Sequence, residues 1–198
     1  MVNIAVLVSG GGTNLQALID AQNNSIIKSG KIALVVSNKE GAYALERAKN
    51  AKIKSEVVLK KQFNSAIEFE NKIISLLKEN QIDLIVLAGF MSILSKNFTD
   101  TFSGRILNVH PSLIPSFCGE GYYGLKVHEK ALEYGVKVTG ATVHFVNEIP
   151  DGGKIIKQKA VYVKEGDTPE ILQKRVMQEA EWIILPEAVE EVSSSLLK

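Results

Sequence analysis

The first half of the chain repeats one unit: a short apolar run rich in Val and Ile, a turn, then a stretch of helical period. Asn3–Val8 leads through Ser-Gly-Gly-Gly-Thr-Asn into LQALIDAQ; IALVVSN leads into GAYALERAKNA; SEVVL leads into an amphipathic stretch from Ser65 to Glu79. In that stretch the spacing puts Ile67, Ile73, Ile74 and Leu77 near one helical face. A fourth run, Asp83–Ala88, is apolar from Leu84 onward, as expected of a strand covered on both faces. Strands that alternate with helices pair in parallel through right-handed crossovers.

Beyond Gly104 the character changes. ILNVH reads as a fifth strand and runs into PSLIPSFCGEGYYG, dense in Pro, Gly and aromatics; a helix over Leu125–Tyr134 follows. VKVTGATVHFV and KIIKQKAVYV are two β-rich runs joined through NEIPDGG, which predicts an antiparallel hairpin. From Thr168, an N-cap before Pro169, the pattern is helical to the end. The expected fold is α/β: a Rossmann-like, mostly parallel sheet with helices on both faces and a late antiparallel hairpin. At 198 residues one domain is expected, with a change of character between the halves 1–104 and 105–198.

Composition narrows the function classes. Lys and Arg number 23 against 22 Asp and Glu, a net charge of +1, so no basic excess argues for nucleic acid or an acidic membrane surface. The longest apolar runs, such as LIVLAGFM, fall far short of the roughly 20 residues a membrane span needs. MVNIAVLVSGGG lacks a basic leader and reads as a first strand. The single cysteine, Cys118, forms no intrachain disulfide and reads as incidental. A cytoplasmic, reduced, single-domain protein is expected.

Three features carry chemistry. Ser9 to Asn14 places three glycines between strand and helix, where free N–H groups and the helix dipole attract an anion; a capped glycine turn is the plainer reading. The dinucleotide fingerprint fails at Leu15 and no Gly-Lys-Ser/Thr follows, so a single phosphate fits better than NAD or ATP. Asn108 and His110 stand two apart on the fifth strand and project to one face at the carboxyl edge of the sheet. Asp151-Gly152-Gly153 alone reads as a turn. Of the other imidazoles, His128 reads as a surface helix residue and His144 as a structural strand residue. Glu181 stands out as a carboxylate within an apolar helical run.

Together AVLVSGGGTNLQALID, VVSNKEGAYALERA, LIVLAGFM, ILNVHPSLIPSF and GATVHFVNEIPDGGKIIKQ resemble the folate-dependent formyltransferases over nearly the whole chain. The N-x-H-P-S-L-x-P element with a later D-G-G is specific to formyl transferases and their hydrolase relatives, and S-G-x-G-[ST]-N narrows the match to the glycinamide ribonucleotide branch. The resemblance implies an enzyme that transfers formyl from 10-formyltetrahydrofolate to the amine of 5-phosphoribosylglycinamide in purine synthesis, a monomer or homodimer acting on small molecules without a metal, with a phosphate-binding βα half over 1–104 and a catalytic and folate-binding half over 105–198. It implies that Gly11, Gly12, Thr13 and Asn14 hold the 5′-phosphate and Glu181 the ribose hydroxyls; spacing from Arg175 selects Glu179 instead, whereas spacing from Pro186 selects Glu181. It places Phe90, Met91, Ser92, Ile93, Leu94 and Asn108 at the folate, makes Asn108, His110 and Asp151 the catalytic trio, and implies a cis Ile114–Pro115 bond. Asp151 beside His110 is expected to favour the imidazolium.

Departures from the pattern fall on the folate side. Ser92 and Ala66 stand where relatives carry arginine, and Ser116–Gly124 replaces a common Pro-Gly pattern, which bears on the acidic tail of the folate. Rival readings are a methionyl-tRNA, amino-sugar or hydrolytic relative, each with an appended domain in the first and last cases, or a non-catalytic nucleotide-binding module. The trio Asn108, His110 and Asp151 argues against the last.

Overall fold

A computed structural model describes all residues, 1–198. Seven strands form one sheet in the order β3-β2-β1-β4-β5-β6-β7. These are β1 (Val2–Val8), β2 (Gly30–Ser37), β3 (Lys54–Val57), β4 (Leu84–Leu87), β5 (Ile106–His110), β6 (Val138–Phe145) and β7 (Ile155–Tyr162). β1 to β5 pair in parallel, and β6 and β7 add antiparallel at the far side. The expected parallel sheet and late hairpin are both present.

The helices are α1 (Thr13–Asn23), α2 (Tyr43–Asn50), α3 (Ala66–Glu79), α4 (Lys96–Thr101), α5 (Leu125–Tyr134), α6 (Pro169–Val176) and α7 (Trp182–Leu196). They cover both faces of the sheet because alternate strand residues point opposite ways. Ile4, Val6 and Val8 of β1 join a core with Leu15, Leu18, Leu185 and Val189, while Ala5 and Leu7 pack with Phe69, Ile73, Leu77 and Phe98 on the other side. Ser65, Ser95 and Thr168 cap α3, α4 and α6 with their side-chain oxygens.

One helical reading needs correction. Ile67 is 63% exposed; the buried stripe of α3 runs through Phe69, Ile73, Ile74, Leu76 and Leu77. Ile67 is the second residue of α3 and shares its side with Ile74, but the core covers that side only at Ile74. The last helical region runs unbroken from Pro169 to Leu196, as expected, but is not α throughout. Met177–Glu181 forms a π turn between α6 and α7, a wider coil that takes up an extra residue. Arg175 is held by a bidentate pair with Asp167 (Nη2–Oδ1 2.6 Å), and Pro186 lies inside α7.

Strand order reverses about β1 and β4, which opens a crevice at their carboxyl ends. The loops there are tied together: Ser9 Oγ accepts from the Met91 N–H (2.7 Å), and Asn38 Nδ2 donates to Ser92 Oγ (3.0 Å).

Candidate active site

The crevice holds a cavity of about 920 Å³, lined among others by Asn14, Phe90 to Leu94, Asn108, His110, Asp151 and Glu181. Gly11, Gly12 and Thr13 do not line it; Thr13 instead borders a second cavity of about 400 Å³ with Arg47 and Trp182. The sequence-predicted residues therefore converge on one cavity, except those three of the glycine loop.

In the glycine loop, Gly12 caps α1 in the left-handed region (φ 69), and no side chain satisfies the first-turn N–H groups. A Cβ at Gly12 would stand 2.6 Å from the Ala44 Cβ, so glycine is required both for conformation and for room. Ala44 N–H donates to the Gly10 carbonyl (3.1 Å) and Arg47 Nε to the Gly11 carbonyl (2.8 Å), bracing the loop from behind. The result is a fixed set of free backbone donors, suited to an anion.

Glu181 faces the next residue along. Asn14 Nδ2 donates to Glu181 Oε2 (2.7 Å), and the carboxyl is only 6% exposed. Burial pushes its pKa up to about 7, against the opposing pull of the Asn14 bond. Glu179, the alternative, is exposed. The π turn places Glu181, and not Glu179, inward.

On β5 and β6, strand register does the assembling. Asn108 pairs with His144 and His110 with Thr142 across the β5–β6 ladder, while the β6–β7 register shifts between Val143 and His144. Asn108 Nδ2 reaches His144 Nε2 (3.2 Å) and donates to Asp151 Oδ1 (3.4 Å). Asp151 Oδ2 accepts from the Gly119 N–H (2.9 Å) and lies 3.5 Å from His110 Nδ1. His110 Nε2 donates to the Phe117 carbonyl (2.8 Å), and His144 Nδ1 to the Phe145 carbonyl (2.8 Å). Asp151 itself has φ 55, a left-handed conformation Asp tolerates, as the third residue of the turn that the Gly152 N–H closes onto the Ile149 carbonyl (2.9 Å).

The segment after His110 is pinned to β6. Thr142 Oγ1 donates to the Ser112 carbonyl (2.7 Å) and accepts from the Ile114 N–H (3.1 Å); Ile114–Pro115 is cis. Cys118 points its thiol at the Pro115 carbonyl (3.3 Å), and burial raises its pKa, so it offers no ready thiolate.

Electrostatics divide the pair. Burial pulls the His110 imidazole below its ordinary pKa and outweighs the raising effect of Asp151. The expected imidazolium is thus corrected: His110 is neutral near pH 7 in this state. Burial works to raise the Asp151 pKa, but the His144 bond and the Gly119 N–H, joined by the charge of His110 whenever that ring is protonated, lower it, so the carboxylate is ionised.

Both other histidines also depart from expectation. His144 contacts Asn108 and Asp151, a placement its strand register with Asn108 encodes but alternation alone does not single out. His128 is 0% exposed, because α5 buries the stripe Val127, His128 and Ala131. No cluster of three or more His, Cys, Asp or Glu side chains is arranged to hold a metal ion.

A formyl transferase family model matches residues 2–189. The chain is 47% identical over 186 residues to phosphoribosylglycinamide formyltransferase of Haemophilus influenzae, covering 94% of this chain and 84% of that protein. The chain belongs to the formyl transferase family. Within it, the Escherichia coli phosphoribosylglycinamide formyltransferase is 41% identical over 197 residues, covering all of this chain and 90% of its own length. The chain also matches the trifunctional purine biosynthetic protein adenosine-3 of Gallus gallus at 47% identity, yet spans only 19% of that longer protein. Glycinamide ribonucleotide transformylase 1 from Symbiobacterium toebii superimposes with a TM-score of 0.92 at 42% identity, over 98% of this chain and 89% of that one. The formyl transferase fold and the cavity at its switch point therefore go together here. No helix is long and apolar enough to cross a membrane.

Proposed function

We propose that this formyl transferase moves the formyl group of 10-formyltetrahydrofolate to the amine of 5-phosphoribosylglycinamide, yielding formylglycinamide ribonucleotide and tetrahydrofolate. The observation that carries this reading is the convergence of Asn108, His110 and Asp151 on one cavity with Asn14, Glu181 and the Phe90–Leu94 segment, next to a glycine loop whose helix offers free backbone donors. Similarity to named phosphoribosylglycinamide formyltransferases supports it.

In the proposed geometry the ribonucleotide phosphate meets the α1 N-terminus at Gly11, Gly12, Thr13 and Asn14, and its ribose hydroxyls donate to Glu181. The folate ring packs on Phe90 to Leu94, with Met91 and Ile93, both more than half exposed, flanking the opening. Its acidic tail then meets Ser92 where relatives have arginine, and Lys39 is the one Lys or Arg lining the cavity.

The neutral amine attacks the formyl carbon, forming a C–N bond and a tetrahedral oxyanion. Asn108 Nδ2 and His110 are the available donors, and one such donor contributes about 3 kcal/mol to lowering the barrier. His110 starts neutral. The growing negative charge adds to the Asp151 charge that already raises its pKa, so its stabilising interaction strengthens toward the transition state. The reacting oxygen takes the place that the Phe117 carbonyl occupies on His110. Asp151 accepts the amine proton, which passes to the folate N10 as the C–N10 bond breaks.

The decisive experiment is an assay of purified, folded protein with both substrates. Formylated ribonucleotide and tetrahydrofolate should appear in equal amounts. No turnover from a folded sample removes this reading.

A further inference from the structure

Phe90 to Leu94 line the cavity yet belong to no helix or strand. The chain turns into them at Gly89 (φ 71), and from Gly89 to Leu94 no main-chain group pairs with another main-chain group. Such a stretch has no backbone ladder to hold its shape, so side chains must hold it. Phe90 and Leu94 do part of this by joining the core with Phe98 and Phe102, while Met91 and Ile93 stay exposed. Two hydrogen bonds do the rest: the Met91 N–H donates to Ser9 Oγ (2.7 Å), and Asn38 Nδ2 donates to Ser92 Oγ (3.0 Å). Just beyond, the Ser95 N–H donates to Glu70 Oε1 (2.8 Å) and fixes the start of α4.

Ser9 is the unexpected member of this set. It opens the glycine loop, whose later residues the proposed function gives to the phosphate. Its own side chain is buried and does not line the cavity. The Ser9 oxygen instead takes the Met91 amide, the one amide of residues 90–94 with a hydrogen-bond partner in the protein. We infer that Ser9 is a positioning residue for the folate side of the site: through the Met91 backbone it fixes the wall on which the folate packs. The bond is short and directional, so it sets where the Met91 backbone stands. A wall held in place binds its ligand without the ordering cost that a loose one incurs. The inference rests on the proposed formyl transfer for what Met91 faces, and on the hydrogen bond alone for what holds Met91.

Ser9→Ala removes the hydroxyl and no contact that lines the cavity. KM for 10-formyltetrahydrofolate should rise about fivefold, the scale of one net hydrogen bond, with kcat and the ribonucleotide KM within about twofold of wild type. A merely structural role would lower the melting temperature without that split. A folded Ser9→Ala with an unchanged folate KM overturns the inference. A rise as large or larger in the ribonucleotide KM does so too, because Ser9 would then serve the anion loop. The second arm is amide hydrogen exchange of the ligand-free proteins, followed by NMR. In Ser9→Ala the Met91 amide should exchange at least about fivefold faster, with the Val6 amide of β1 unchanged. Equal Met91 rates in the two proteins overturn the tether. If the wild type transfers no formyl, the proposed function fails, and the exchange arm still decides whether Ser9 holds the segment.

Discussion

The glycine loop and the catalytic centre are made of different material. The loop offers backbone N–H groups, shaped by Gly12 and braced by Ala44 and Arg47. The centre offers side chains from β5, β6 and the turn at Asp151, each already engaged by another: Asn108 with His144 and Asp151, His110 with Phe117. Backbone donors have no protonation state and are fixed by a few adjacent residues. The centre instead depends on a balance of burial against charge, spread across residues 43 apart in sequence from Asn108 to Asp151. Damage to the loop should therefore appear in binding, and damage to the centre in turnover.

The largest effect is expected at Asp151. Asp151→Asn preserves the shape and removes the charge, and with it the proton acceptor and the group that opposes the low His110 pKa. We expect kcat to fall by about 10²- to 10⁴-fold, the range for a positioned acid–base group. Ribonucleotide affinity, measured by calorimetry, should change little. His110→Ala should behave the same way. Equal losses in affinity and turnover for either variant would erase the distinction between the two regions.

That same distinction governs what the sequence discloses. The glycine loop and the Asn108–His110 pair are local patterns, and both were legible, as were the parallel sheet and the late hairpin. Glu181 was legible only through its spacing to Pro186, because the π turn at Met177–Glu181 shifts the register from Arg175. His144 and the Gly119 N–H enter through pairing across β5–β6 and the fold-back of the 117–124 loop, which no short window encodes. His128 and Ile67 were misread for a common reason: each depends on how much of its helical face the rest of the molecule covers. The charge state of His110 also lay beyond sequence, since depth of burial, not the neighbouring carboxylate, decides it.

A middle-sized effect is expected at Gly12. In Gly12→Ala the new Cβ would meet the Ala44 Cα at 2.8 Å as well as its Cβ, at a backbone φ of 69 that L side chains resist. The loop must open and its N–H groups must splay. Ribonucleotide affinity should drop about tenfold, or about 1.4 kcal/mol. At saturating ribonucleotide, kcat should stay near wild type. A normal affinity with reduced kcat would show that the loop serves the chemistry rather than the anion.

The smallest effect is expected at Glu181, the side chain that makes the backbone-built end sensitive to pH. Its carboxyl has an ordinary pKa of 4.5 and a folded value of about 7, because burial penalises the charge. For a group whose folded pKa is raised, its favourable share of stability is complete below the unfolded value and is lost as pH rises through the folded one. Wild-type stability should therefore decline, through this residue, between about pH 4.5 and pH 7. Glu181→Gln does not titrate and keeps an amide oxygen to accept from Asn14 Nδ2. Thermal melts of the two proteins should thus converge near pH 4.5 and separate above it, the variant gaining roughly 2–4 °C for each kcal/mol of relieved charge burial. Ribonucleotide binding should move the other way, weakening in the variant because ribose hydroxyls lose an anionic acceptor. Melting curves that stay parallel across the window would mean that the carboxyl is hydrated and ionised throughout, and that the ribonucleotide end, like its glycine loop, carries no titratable element at all.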